Sequence, residues 1–215
     1  MAPPAVSDPA PPPVSDLNRL EELAAARFRR SIDAAQAFFE ANADGISAAS
    51  LDMARRFQRG GRLIVFGAGA DATDAQHVSV EFVHPVIVGK RALPAIALTN
   101  DVATLTASSN GFQSALATLG RPADIALGIG VDGIDEALIH ALGFARAANM
   151  LVVAIVREGS ALKLPTGIAY SFEVPGSDQL IAQEVGETLY HVFWELVHLF
   201  LDHGVGDADV PARAP

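Results

Sequence analysis

No cysteine occurs in the 215-residue chain. Disulfides, thiolate metal sites and cysteine nucleophiles are therefore excluded, and His, Asp, Glu and Gln remain as the strong ligand types. Any metal centre has to be built from nitrogen and oxygen donors. Basic residues are scarce: 15 Lys plus Arg stand against 25 Asp plus Glu, a net charge of −10. That balance argues against nucleic acid or an anionic membrane as the main partner. No apolar run reaches about 18 residues without a charge, so no segment is expected to span a bilayer. The N-terminus has no Lys or Arg ahead of an apolar run, as a secretory signal requires. These absences make the cytoplasm the expected compartment.

What is present divides into three stretches. Residues 1–16 hold six prolines and no large hydrophobe beyond two valines, which predicts a disordered leader. Residues 17–202 are expected to form one domain, and 203–215 a flexible tail. The two ends, 1–16 and 202–215, carry Asp8, Asp16, Asp202, Asp207 and Asp209 against Arg213, so they supply −4 of the charge and the remainder −6. Leu20, Leu23, Ala24, Phe28, Ile32, Ala35 and Phe39 recur at helical spacing and predict a helix from Leu17 to about Ala43, capped by Ser15 or Asp16. A second, shorter helix fits 46–58. The period then changes: RLIVF, LPAIAL, DIALGI, LVVAIV and IAYSFEV are short apolar runs bounded by turn formers, alternating with helical stretches near 71–84, 134–148 and 179–202. Continuous apolar strands between helices imply a doubly wound parallel five-stranded α/β sandwich.

Ligands in such sheets bind at the carboxyl ends of the strands, which directs attention to the loops GAGADA, TNDVATLTASSNG and GVDGID. Gly67-x-Gly69-x-x-Ala72 matches a dinucleotide fingerprint in form, but the acid expected about 20 residues on is missing. A glycine turn for close strand–helix packing is the better reading. The following helix places His77 and Glu81 four residues apart on one face, about 6 Å from each other, which suits one divalent ion. Such a pair more often makes a surface hydrogen bond. The last helix adds Gln183 and His191, about 80° apart around its axis. His198 and His203 read as core or interface histidines.

GAGADATDAQHVSVEFV, RALPAIALTND, LGRPADIALGIGVDGID and SDQLIAQEVGETLYHVFWELVH together resemble the sugar isomerase (SIS) domain family, and within it the phosphoheptose isomerases. The resemblance covers about residues 17–202. It implies a Zn²⁺ site with ligands His77, Glu81, Gln183 and His191, and an acid/base role for Glu81 and His191 in aldose–ketose isomerisation. It implies substrate contacts from Ala68, Gly69, Ala70, Asp71, Asn110, Gly130, Val131, Asp132, Asp135, Asp178 and Gln183. It further implies a homotetramer acting on a sugar or sugar-phosphate-like molecule, with active sites at subunit borders. Isomerisation through an enediol needs a base, an acid and stabilisation of a developing oxyanion, which these residue types supply.

The loops depart from the family pattern. The family's GNGGS is Gly67-Ala68-Gly69-Ala70-Asp71 here, and its STSGNS is Gly130-Val131-Asp132-Gly133-Ile134-Asp135, so the hydroxyls are replaced and carboxylates added. An Arg common after the first helix falls at Pro85. Two unit charges about 5 Å apart repel by roughly 3 kcal/mol at an effective dielectric of 20. A phosphate should therefore bind poorly unless Asp71, Asp132 and Asp135 turn away, for example to cap their helices. Three readings stand: a phosphoheptose-isomerase-like enzyme, a zinc protein of this family with a non-phosphorylated ligand, and a non-catalytic tetrameric scaffold.

Overall fold

The computed structural model of the protein describes residues 17–106 and 109–204. The proline-rich leader, the capping candidates Ser15 and Asp16, and the tail beyond Gly204 lie outside the described residues.

Helix α1 runs unbroken from Leu17 to Gln58, where the turn-forming sequence Asn42-Ala43-Asp44-Gly45 predicts two helices. Packing overrides the local signal. Phe38 before this stretch and Ile46, Ala49 and Met53 after it are all buried against the same core, and a break would pull one set out of it. Gly45 faces the Phe172 ring, and an added Cβ would meet that ring at 3.5 Å, an ordinary contact. Gly45→Ala is therefore expected to raise stability by about 0.5–1 kcal/mol, because glycine is costly inside a helix. The check is a higher urea midpoint at unchanged m-value.

The five strands are β1 (Leu63–Phe66), β2 (Ala95–Ala97), β3 (Ile125–Gly130), β4 (Leu151–Arg157) and β5 (Tyr170–Val174). They form one parallel sheet in the order β2-β1-β3-β4-β5. Every residue of β1 and β3 is buried, which is why these strands read as continuous apolar runs and do not alternate. The remaining helices are α2 (Asp71–Val83), α3 (Val102–Thr106), α4 (Gly111–Leu119), α5 (Glu136–Ala147) and α6 (Gln179–His203), with a 3₁₀ turn at Ala161–Lys163.

Two apolar cores flank the sheet. On one face Met53 and Phe57 of α1, Phe82 of α2 and Phe193 of α6 pack together. On the other, Phe66 packs with Phe112 and Leu116 of α4 and Leu138 and Leu142 of α5. A Cβ at Gly130 would come within 2.6 Å of Leu138, so glycine in β3 lets α5 close down on the strand. The amino ends of β1 and β3 are tied by buried Asp124, which accepts hydrogen bonds from the Arg62 amide at 2.9 Å, the Arg62 guanidinium at 2.8 Å and the Arg121 amide at 3.0 Å. Chain direction reverses around β1: the chain passes from β1 to β2 on one side and returns to β3 on the other. The crevice between the carboxyl ends of β1 and β3 is the topological switch point. Among the described residues no helix is long and apolar enough to cross a membrane.

Candidate functional site

Helix α2 buries Ala75, Val78 and Phe82. That apolar stripe sets the rotation of the helix and leaves Asp74, His77 and Glu81, spaced three and four apart, on an adjoining face beside α6. Helix α6 buries Val185, Leu189, Phe193 and Val197, which leaves Gln183, Glu187 and His191 at four-residue steps along one side. The Trp194 indole N–H donates to the Glu81 carbonyl at 3.0 Å and pins the two helices at this level.

Three predicted residues meet across the helix pair. Glu81 Oε1 lies 3.3 Å from His77 Nε2 and 3.1 Å from His191 Nε2. The two imidazole rings are 5.4 Å apart and nearly perpendicular. Glu187, which sequence reasoning missed, joins them: donor atoms of His77, Glu187 and His191 lie within 4.8 Å of one another. Its position four residues before His191 and four after Gln183 was the available signal. Gln183 stands one turn further toward the start of α6, and its side chain is hydrogen-bonded to Asp74. A cavity of about 270 Å³ lined by Glu81, Val86, Ile87, His191, Trp194 and Glu195 opens beside the cluster.

A second set of side chains orients His77. The Tyr190 hydroxyl is 3.1 Å from His77 Nδ1 and is also bonded to the Asp74 carboxylate. Burial, and then the charges of Asp74, Glu187 and Glu81, push the Tyr190 phenol well above its ordinary range, so it stays protonated. Burial raises the Asp74 carboxyl too, opposed by its bond to Gln183. In one tautomer His77 Nε2–H donates to Glu81; in the other Nδ1–H donates to the tyrosine oxygen, whose O–H donates to Asp74. The lone pair of His77 Nε2 then faces the Glu81 carboxylate. Two lone pairs at 3.3 Å repel unless a proton or cation lies between them. Glu81 Oε1 thus stands close to one nitrogen of each imidazole, and His77, Glu187 and His191 offer donor atoms all within 4.8 Å of one another. The residues present fit a divalent metal with nitrogen and oxygen ligands.

The remaining predicted residues fall in two places. Ala68, Gly69, Ala70 and Asp71 follow β1, and Gly130, Val131, Asp132 and Asp135 end or follow β3, so both loops border the switch point. Gly69 has φ +60°, which agrees with the glycine-turn reading. Asp71 was expected either to face a ligand or to cap its helix. It does not cap: the α2 cap position is Ala70, and the buried Asp71 carboxylate accepts from the amides of Val131 and Asp132 at 3.1 Å. Burial pushes this carboxyl up to about 6 in spite of those two bonds, with Asp74 and Asp132 adding repulsion. Asp135 does cap its helix, accepting from the Leu138 amide. Asp178 caps α6 through the Leu180 and Ile181 amides. Asn110 immediately precedes α4, with its side-chain oxygen 3.3 Å from His140 Nδ1 on α5. His198 is a buried core histidine, within 2.8 and 3.1 Å of the Trp194 and Arg91 carbonyls.

A five-stranded parallel sheet of order 2-1-3-4-5 flanked by helices is the arrangement of a SIS domain. The chain belongs to that family: the SIS domain model matches residues 27–156. Its relatives are phosphoheptose isomerases. That of Thermodesulfovibrio yellowstonii is 32% identical over 184 residues, covering 83% of this chain and 91% of the relative. That of Roseiflexus sp. is 37% identical over 173 residues, covering 78% and 87%. The solved phosphoheptose isomerase of Neisseria gonorrhoeae superposes with a TM-score of 0.70 at 28% identity, covering 83% of this chain and 98% of that one.

Proposed function

We propose that the protein is an aldose–ketose isomerase of the phosphoheptose isomerase type, with a divalent metal, Zn²⁺, held between α2 and α6. The observation that carries this reading is the convergence of His77, Glu81 and His191 from two helices with donor separations of 3.1 and 3.3 Å. The relatives' shared name supports the reaction class.

Aldose–ketose exchange moves a proton between C1 and C2 through an enediol. His77, Glu81 and His191 are the ligands proposed for the metal, joined by Gln183 or Glu187 from the same face of α6. When bound, the ion supplies Lewis-acid stabilisation of the oxyanion that forms during enolisation. Glu81 Oε1 faces the two imidazoles, which leaves Oε2 to take the proton from one carbon and return it to the other. His191, which lines the cavity beside Trp194, is placed to exchange a proton with the substrate oxygen when its Nε2 is not bound to the metal. Tyr190 and Asp74 hold His77 in the tautomer that presents Nε2, as partners behind metal-binding histidines generally do.

The exposed apolar residues Leu20, Leu23, Phe28 and Ile32 of α1 support assembly with further copies of the chain, which we read as a homotetramer. Purified protein is expected to contain about one zinc per chain and to interconvert sedoheptulose or its 7-phosphate with the matching aldose. His77→Ala should lose both metal and turnover. Metal analysis and the isomerase assay on one sample check this, and wild-type protein without zinc or turnover would remove the reading.

A further inference from the structure

The switch point between β1 and β3 is the crevice in which this fold places a ligand. The two loops that border it are joined by one buried side chain. Asp71 reaches across from the first loop, and its carboxylate holds the Val131 and Asp132 amides of the second at 3.1 Å. Five amides of these loops and helix starts are thus already taken within the chain: two by Asp71, that of Leu138 by Asp135, and those of Leu180 and Ile181 by Asp178. Asp132 adds an exposed carboxylate, with Oδ2 3.5 Å from where a Cβ on Gly69 would stand and Oδ1 accepting from Gln179 at 3.2 Å. Arg157 donates its Nε–H to the Val131 carbonyl at 2.9 Å. Three carboxylates and one guanidinium leave the loop pair with a charge of −2. Arg30 lies nearby, 3.6 Å from Asp178.

The helix rise puts Asp71 about 9 Å from the level of His77 along α2. A sugar whose C1–C2 end lies at the His77–Glu81–His191 cluster and whose chain runs along α2 toward its first turn brings its far end to this crevice. A phosphate dianion arriving there would lose hydration, find no free amide among those named, and face Asp132 at short range. A hydroxyl can instead donate to the Asp132 carboxylate.

We propose that Asp71 is a specificity-determining residue: by taking the Val131 and Asp132 amides with its own carboxylate, it makes the crevice select the uncharged hydroxyl end of a sugar and disfavour a phosphate monoester. The choice of sugar as ligand rests on the isomerase reading; the bias against phosphate rests on the loops alone.

The test titrates inorganic phosphate into wild-type protein, Asp71→Ser and Asp71→Asn, and compares turnover of sedoheptulose with that of its 7-phosphate. Wild-type protein should bind phosphate weakly and turn over the unphosphorylated sugar with the higher kcat/KM. Asp71→Ser should bind phosphate at least about tenfold more tightly, a shift of 1.4 kcal/mol. Asp71→Asn keeps the shape of the side chain and reports the charge alone, so it serves if the serine variant misfolds by circular dichroism. Equal phosphate binding by wild type and the folded variants overturns the proposal, as does a wild-type preference for the 7-phosphate. If neither sugar is turned over, the isomerase reading fails, and the phosphate titration still decides the role of Asp71.

Discussion

Glu81→Gln is expected to lower kcat for isomerisation by about 10²–10⁴-fold, the usual contribution of a positioned general base, with little change in melting temperature. The substitution preserves size and an amide oxygen, and the Trp194 bond goes to the Glu81 backbone carbonyl, so the contact between α2 and α6 survives. What is lost is the ability to accept a proton. Glu81 is also a proposed metal ligand, so zinc content has to be measured on the sample that is assayed. Activity that falls only in proportion to zinc content would make Glu81 a ligand without a role as base. Activity lost while zinc is retained assigns the proton transfer to it, and full activity at full zinc content sinks the mechanism.

Asp124→Ala should cost about 3 kcal/mol of unfolding free energy, a large share of the 5–15 kcal/mol typical of a domain. The Asp124 side chain is 1% exposed, and its partner Arg62 is 25% exposed. That partial exposure places the loss at the lower end of the range for breaking a buried pair. Truncation leaves the Arg62 and Arg121 amides without their acceptor and the guanidinium without its counter-charge. Both amides lie where the chain enters β1 and β3, so the damage falls on the central strands. Asp124→Asn retains one acceptor oxygen and should lose less. Urea unfolding gives the comparison, and an alanine variant with an unchanged midpoint would show that water replaces the carboxylate at no cost.

The fold was legible to the extent that its signals are local. Strands buried on both faces have no polar face to alternate with, so LIVF and IALGIG declare themselves as central strands. Helices α2 and α6 show their core stripes at a period of 3.6, and the same period put His77 with Glu81. The break expected near Gly45 failed because Asn, Asp and Gly carry a turn preference of at most a few kcal/mol, while the buried residues on both sides of them hold one continuous helix against the sheet. Glu187 lay on the readable face of α6, but nothing local says that this face meets α2. Tyr190 carries no local signal of a role, and its hydroxyl became a hydrogen-bond partner of His77 only through packing.

Composition and spacing alone thus determined the class of fold, the absence of thiolate chemistry, and the pairs of residues that share one helix face, because each depends on backbone periodicity within a single segment. Which faces meet was decided by tertiary structure, since the distance between α2 and α6 is set by the apolar core both helices share. Asp71 shows the difference most sharply. Its position in a loop before a helix allowed a cap or a ligand contact, and the choice went to two amides sixty residues away that only the parallel pairing of β1 with β3 brings within reach.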